Sequence, residues 1–175
     1  QQLLNGITEL GIFSVPIEHQ DNFEVLFRRD EELTAVFHKD SVFLEDGQKS
    51  VTLKDLEDVP LSLSSGCSEI VLKAFAQKSM VPRITCTSTT RSTTLEWTRV
   101  KAAVSIVPVE EGEDLGEEFV ARPISDISAD VYKTVVKVKD RPLSVAAQHF
   151  LKFYSKTRNS QQVCDLDAIL KSSNL

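Results

Sequence analysis

Short apolar runs along this chain alternate with segments in which apolar residues recur at helical spacing. Runs rich in β-branched and aromatic residues predict strands, because such side chains suit a buried, pleated surface. The predicted strands cover residues 10–13, 23–27, 33–37, 60–63, 83–86, 104–108, 119–124 and 131–138. The charged residues 28–32 are interpreted as a solvated turn, and the polar residues 40–49 and 110–118 as loops.

Helices are predicted where apolar residues repeat every three or four positions. The strongest patterns cover residues 68–78 and 142–154, and Ser144 is predicted to be the N-cap of the second. A further helix is predicted around Trp97, and residues 64–66 are interpreted as a turn. Strands and helices that alternate in this way indicate an α/β fold with a largely parallel sheet.

Two weaker patterns complete the prediction of local structure. A short helix at residues 51–56 would be capped by Thr52, with Asp55 completing a capping box. Near the end of the sequence, residues 164–170 either form a last short helix or belong to a poorly ordered tail.

Composition narrows the function classes. The chain has 175 residues, of which 41% are hydrophobic, and its net charge is −6. It is long enough for a real core, and its acidic balance argues against nucleic-acid binding by this piece. No apolar run reaches membrane-spanning length. No signal peptide is visible, and the first residue is Gln, so we expect a fragment of a longer cytoplasmic protein.

Residues that could carry catalysis or hold a metal are scattered. The cysteines Cys67, Cys86 and Cys164 and the histidines His19, His38 and His149 show no metal-ligand spacing. This pattern favours reduced, buried cysteine thiols. No glycine-rich nucleotide motif and no nucleophile elbow is present. His149 lies in a predicted helix without a nucleophile partner, and the acidic residues 110–118 lack an EF-hand pattern. The sequence therefore predicts no catalytic residue, no cofactor and no metal.

Two segments favour a binding site. Ser64 and Ser65 stand where a predicted strand meets a helix, and a helix N-terminus with small hydroxyls suits a carboxylate or another anion. The alternative is that Ser65 or Ser68 only caps the helix. The second segment is the hydroxyl-rich tract 87–94 with Arg91, which either binds a ligand beyond a strand end or forms a turn.

Several stretches, in order, resemble the effector-binding domain of LysR-type transcriptional regulators. Residues 55–61 (DLEDVPL), 105–108 (SIVP) and 141–151 (RPLSVAAQHFL) are similar to characteristic steps of that family. Residues 6–13 and 33–39 are similar to its upstream strands. The resemblance covers residues 1–156 and implies a periplasmic-binding-protein-like type 2 fold, with two Rossmann-like lobes joined by two crossover strands.

The resemblance also implies a domain organisation. Lobe I would comprise residues 1–39 and 137–160, lobe II residues 40–136, and residues 161–175 would form a C-terminal tail. The first strand and helix of lobe I are expected to be missing. DNA contact would lie in a helix-turn-helix that is absent from this chain, and effector domains would pair as a homodimer or tetramer.

A small-molecule effector, expected to be a carboxylate metabolite, would occupy the cleft between the lobes. Carried over from the family, its lining is Ser14, Ser64, Ser65, Thr87, Thr89 and Pro108. Arg91 is our own addition, as a partner for a carboxylate. One departure concerns residues 101–104 (KAAV), which stand where the family usually has Gly-x-Gly. The competing hypotheses are a free-standing solute-binding protein and an enzyme on the same fold.

Overall fold

The computed structural model describes residues 1–14, 20–43, 47–157 and 161–162. The chain divides into two compact units. Unit 1 comprises Gln1–Asp30 and Tyr132–Leu175, and unit 2 comprises Glu31–Val131. His19, Cys164 and the predicted helix at residues 164–170 lie outside the described residues.

Strands form at every predicted strand position. They are β1 (Leu10–Phe13), β2 (Phe23–His38), β3 (Leu61–Ser64), β4 (Ile84–Ser88), β5 (Val104–Val109), β6 (Phe119–Pro123), β7 (Val131–Val138) and β8 (Gln161–Gln162). The helices are α1 (Ser65–Gln77), α2 (Arg91–Arg99) and α3 (Val145–Thr157), and Gln20–Asn22 form one 3-10 turn. No helix among the described residues is long and apolar enough to span a membrane.

Unit 1 is built on antiparallel strands and one helix. Strand β1 pairs antiparallel with β7, and β8 pairs antiparallel with β2. The α3 helix buries one apolar stripe against the strands, as its periodicity predicts. The resulting core contains Leu26, Phe27, Val135, Leu143, Ala147 and Leu151.

Unit 2 contains a mixed sheet. Strand β3 pairs parallel with both β4 and β5, whereas β5 and β6 both pair antiparallel with β2. The prediction of a largely parallel sheet is therefore wrong. Alternation along the sequence predicts the crossover helices, and these join only β3, β4 and β5 in the described chain. The direction in which β2 pairs depends on chain path, which periodicity does not encode.

The predicted turn at residues 28–32 is also wrong, because β2 continues through it as one strand of 16 residues. Arg29 and Glu31 within it are only 7% and 9% exposed. The Arg28 guanidinium lies 3.9 Å from the centre of the Tyr132 ring, and that of Arg29 lies 4.7 Å from the Tyr154 ring. Stacking on aromatic rings lets these cations remain in a strand, so charge alone did not mark a turn.

Both predicted caps are confirmed, whereas the helix predicted at residues 51–56 is not. Asp55 accepts hydrogen bonds from the backbone N–H and the hydroxyl of Thr52 at 2.7 and 2.8 Å, which confirms the capping box. However, the following residues form turns with i to i−3 hydrogen bonds, so the α-helix predicted at 51–56 is wrong. The hydroxyl of Ser144 accepts from the backbone N–H of Ala147 at 3.2 Å and is confirmed as the N-cap of α3.

Lys101 makes the turn that leads from α2 into β5. It adopts a left-handed backbone with φ of +61°, a conformation that glycine adopts at lower cost. Its N–H donates to the carbonyl of Thr98, and that of Ala102 donates to the carbonyl of Trp97, both at 2.9 Å. These bonds close the end of α2 in the manner of a Schellman motif, so the chain enters β5 without the Gly-x-Gly.

Candidate functional site

The order of the parallel strands in unit 2 creates a place where a ligand can bind. Strand β3 lies between β5 and β4. The chain passes from β3 through α1 to β4, and then returns through α2 to β5 on the other side of β3. The direction of winding therefore reverses between β3 and β5. Open α/β sheets bind ligands at the carboxyl ends of strands beside such a reversal.

Two serines lie side by side at this edge. Ser64 ends β3, Ser88 ends β4, and the two are direct partners in the parallel register. They are 8% and 7% exposed. The sequence pointed to Ser64 but missed Ser88, which lies inside the hydroxyl-rich tract. The signal that could have found it is its position two residues after the predicted strand 83–86.

The first turn of α1 begins directly after Ser64, so the predicted turn at 64–66 is wrong. Ser64 is the N-cap residue, yet its side chain makes no capping hydrogen bond. Its Oγ lies 3.1 Å from the Cys67 Sγ instead. The hydroxyl of Ser68 donates to the carbonyl of Ser65 at 2.9 Å and does not cap the helix either. Among the residues that the structure describes, the backbone N–H groups of the first turn therefore have no side-chain acceptor.

Cys67 supports this turn through its buried thiol. Its side chain is fully buried, and burial raises the pKa of the thiol, so the neutral form dominates. The Sγ lies 3.4 Å from the Ser64 carbonyl oxygen and 3.5 Å from that of Ile106. The thiol thus joins the start of α1 to β5 through weak hydrogen bonds.

The start of α2 differs from the start of α1. Thr90 caps α2, because its hydroxyl accepts from the backbone N–H of Thr93 at 3.2 Å. Thr87, in β4, and Thr89, just before the cap, are both exposed. Among the two helices that begin at this edge, α1 is therefore the one with an open first turn.

Arg91, the first residue of α2, already has a carboxylate partner within the chain. Its Nη1 donates to Glu113 Oε2 at 3.1 Å, and both side chains are about one quarter exposed. The same oxygen of Glu113 accepts from the backbone N–H of Glu110 at 3.2 Å. The expectation that Arg91 meets a carboxylate thus has a counterpart within the protein, while its role in binding an effector stays a prediction.

The family model described as LysR substrate binding domain matches residues 1–158. The chain belongs to this family. The membership confirms the resemblance inferred from the sequence and, together with the structure, the α/β fold of the periplasmic-binding-protein-like type 2 class. No curated protein sequence matches the chain.

Solved structures share the fold of this LysR substrate-binding domain. The effector-binding domain of QuiR in complex with shikimate has a TM-score of 0.68 and 21% identity, over 89% of this chain and 76% of that one. The CcmR regulatory domain of Synechocystis PCC6803 in complex with 2-PG has a TM-score of 0.69 and 18% identity, over 90% and 77% of the two chains.

Full-length regulators are similar as well. CbnR complexed with its target DNA has a TM-score of 0.63 and 23% identity, over 80% of this chain and 49% of that one. A second CbnR structure has a TM-score of 0.67 and 21% identity, over 89% and 55% of the two chains. This LysR substrate-binding domain therefore spans about half the length of the full-length regulators it matches.

Two of the predicted site residues lie on other elements of the fold. Pro108 is buried within β5, opposite Leu33 of β2. Ser14 follows β1 in unit 1 and is half-buried. In unit 2 the fold thus gathers Ser64 and Ser65 at the strand ends, whereas Ser14 belongs to the other unit.

Behind the carboxyl edge, this LysR substrate-binding domain buries a hydroxyl layer that the sequence did not reveal. Ser62 of β3 and Ser105 of β5 are register partners and are both fully buried. Ser105 Oγ donates to the carbonyl of Thr94 at 2.8 Å and lies 2.6 Å from Thr98 Oγ1. The Ser62 Oγ has no hydrogen-bond partner among the described residues. Helix α2 therefore packs on the sheet partly through hydroxyl groups.

Unit 2 has a further pocket, of about 360 Å³, whose lining includes the acidic side chains of Glu31, Glu32 and Asp130. Its walls also include Leu33 and apolar residues of the segment after β6. The described residues contain no group of three side chains placed to hold a metal ion. The acidic lining makes this pocket unsuited to a carboxylate, so the carboxyl edge of β3 and β4 is the better candidate.

Proposed function

We propose that this domain senses a small carboxylate metabolite at the carboxyl edge of β3 and β4, as the effector-binding part of a LysR-type transcriptional regulator. The observation that carries the proposal is the open first turn of α1 beside Ser64 and Ser88. Unpaired N–H groups and the positive end of the helix dipole favour a carboxylate there. Ser65 follows Ser64 in the chain, Thr89 follows Ser88, and both are exposed. Their hydroxyls would donate further hydrogen bonds to the carboxylate.

Two relatives of this fold support the choice of ligand. The effector-binding domain of QuiR was solved in complex with shikimate, and the regulatory domain of CcmR in complex with 2-PG. Shikimate carries a carboxylate beside several hydroxyls, which is the kind of group that a helix N-terminus lined by serines can bind. Sensing would consist of a shift between two arrangements of the domain, because a ligand favours the state that binds it better.

The remaining parts of the proposal rest on the family. Ser14, Thr87 and Pro108 are proposed as further effector contacts by resemblance, and the lobes are proposed as residues 1–39 with 137–160 and residues 40–136. Homodimers or tetramers would form through the effector domains, and DNA contact would lie in a helix-turn-helix outside this chain. A cytoplasmic location also stays a prediction.

Family membership bears on the competing hypotheses. The LysR family is one of transcription regulators and not of enzymes, which supports a sensor over a catalyst. It also favours the regulator over a free-standing solute-binding protein. The protonated Cys67 agrees with a binding role, since a buried neutral thiol is a poor nucleophile.

Thermal shift and calorimetry with small carboxylic acids test the proposal. The panel is shikimate, succinate and citrate, and a binder should raise the melting temperature because it binds only the folded state. Ser65→Ala and Thr89→Ala should then weaken binding without unfolding the domain. Thr85→Ala, an exposed hydroxyl of β4 farther from the carboxyl edge, is the matched control and should bind normally. Unchanged affinity in both site variants would remove this edge as the binding site.

A further inference from the structure

Arg91 occupies an unfavourable position for a cation. It is the first residue of α2, where the positive end of the helix dipole lies. A guanidinium at that end of a helix needs an anion close by. In this structure the anion is Glu113, which reaches Arg91 from the loop after β5.

The contact between the two side chains uses only part of the guanidinium. Nη1 donates to Glu113 Oε2, while Nε is buried and has no hydrogen-bond partner among the described residues. A carboxylate bound side-on to Arg normally takes two parallel hydrogen bonds. The arrangement with Glu113 therefore leaves a buried donor unsatisfied, which weakens the pair relative to a bidentate one.

Both partners lie at the edge assigned to the effector. Arg91 follows β4, and Glu113 follows β5, on either side of the β3 end that carries Ser64. Glu113 also accepts the backbone N–H of Glu110, so one carboxylate oxygen fixes both Arg91 and the turn of residues 110–113. A movement that carries the Glu113 carboxylate away from Arg91 would therefore also break its hydrogen bond to the Glu110 N–H.

We propose that Glu113 is an internal competitor for Arg91, and that the carboxylate of an effector displaces it. The proposal rests on the proposed function and adds a regulatory contact to the same site. Arg91 exchanges a single hydrogen bond to Glu113 for a bidentate pair with the ligand. The displaced Glu113 carboxylate also gives up its hydrogen bond to the Glu110 N–H, which couples occupancy of the site to this side-chain contact of the loop.

A double-mutant cycle in the 175-residue chain tests this, with shikimate, succinate and citrate as probes in calorimetry at low salt. Glu113→Gln removes the competing charge and keeps the side-chain shape. Its affinity should rise about fivefold or more, because the fraction of protein with an available Arg91 increases. Glu111→Gln removes the same charge from an exposed neighbour in the loop and should change affinity less than about twofold.

The gain must depend on Arg91. In an Arg91→Gln background, Glu113→Gln should give no gain, since the residue that it frees is missing. The competitor role is overturned if Glu113→Gln binds no tighter than the unchanged chain, or if the gain persists without Arg91. If the unchanged chain binds an acid normally while Glu113→Gln has no effect, only this inference fails. If neither form binds any probe, the carboxylate-sensing proposal fails with it.

Discussion

Ser64 and Ser88 are direct partners at the carboxyl ends of two parallel strands, and both side chains are more than nine-tenths buried. Ser64 stands at the N-cap of α1, yet its side chain makes no capping hydrogen bond to the first helical turn. Ser65 and Gly66, which open the helix, are exposed, so their backbone N–H groups are accessible to solvent or to a bound anion.

Replacing Ser65 with proline should distinguish the contribution of its backbone N–H to ligand binding from that of its hydroxyl. Ser65 is the first residue of α1, where proline is tolerated, and Ser64 before it is extended with φ of −79° and ψ of 138°, as a residue before proline prefers. Ser65→Pro should keep the fold and lower the affinity for the tightest-binding acid of the panel about tenfold, because one charge-assisted N–H donor is lost. Calorimetry measures the affinity, and circular dichroism checks the helix.

Ser65→Ala is the matched control, since it removes the hydroxyl and keeps the N–H. A larger loss in the proline variant would assign the anion to the backbone of the turn. Equal affinity in Ser65→Pro and the unchanged chain would contradict a role for that N–H.

The buried hydroxyl layer predicts opposite effects for two neighbouring serines. Ser105→Ala should lower the free energy of unfolding by about 1–3 kcal/mol, because it removes the donor to the Thr94 carbonyl and the partner of Thr98. Ser62→Ala should leave stability unchanged or raise it, because the Ser62 Oγ has no partner among the described residues. Urea unfolding of the two variants compares them directly. Similar losses in both would show that Ser62 is also satisfied in solution.

Lys101 is a site where glycine should stabilise the fold. Its left-handed backbone is strained for a residue with a Cβ, so Lys101→Gly should raise the free energy of unfolding by about 1 kcal/mol. Lys101→Ala serves as the control, because it also loses the exposed ion pair with Asp40 but keeps the strain. The difference between glycine and alanine in thermal or urea unfolding is the quantity to measure. Alanine as stable as glycine would remove the strain argument.

Glu9 should make stability depend on pH in the acid range. The Ser144 hydroxyl, and then its backbone N–H at 2.8 Å, lower the pKa of the Glu9 carboxyl. Since the folded pKa lies below the unfolded one, the stabilisation is complete above the ordinary glutamate value of about 4.3 and is lost as pH falls through the folded pKa. Glu9→Gln should therefore be less stable than the unchanged chain at pH 7, with the gap narrowing towards pH 3.

Urea unfolding at a series of pH values measures that gap. Glu69→Gln, at an exposed position of α1, is the control and should show no such pH-dependent difference. A constant gap for Glu9→Gln between pH 7 and pH 3 would mean that the Glu9 charge does not support the start of α3.

Local chemistry explains which features could be predicted. Ser144 and the Thr52–Asp55 pair act on residues three positions away, so their hydrogen bonds follow from sequence spacing. The charged stretch at 28–32 was misinterpreted, because the rings of Tyr132 and Tyr154 that accommodate its arginines lie far away along the chain. Long-range contacts of this kind leave no local periodic signal.

By itself the sequence determined where the strands lie, which residues form the two caps and to which family the chain belongs. It also indicated Ser64 and Ser65 as candidate ligand-binding residues. Only the tertiary structure decided that Ser88 stands beside Ser64, that the first turn of α1 is open, and that Glu113 holds Arg91. Apolar periodicity and capping depend on neighbours within one turn of chain, so the residues themselves carry them. Strand register and ion pairs across a sheet edge depend on which crossovers bring distant segments together, and that is fixed only when the whole unit packs.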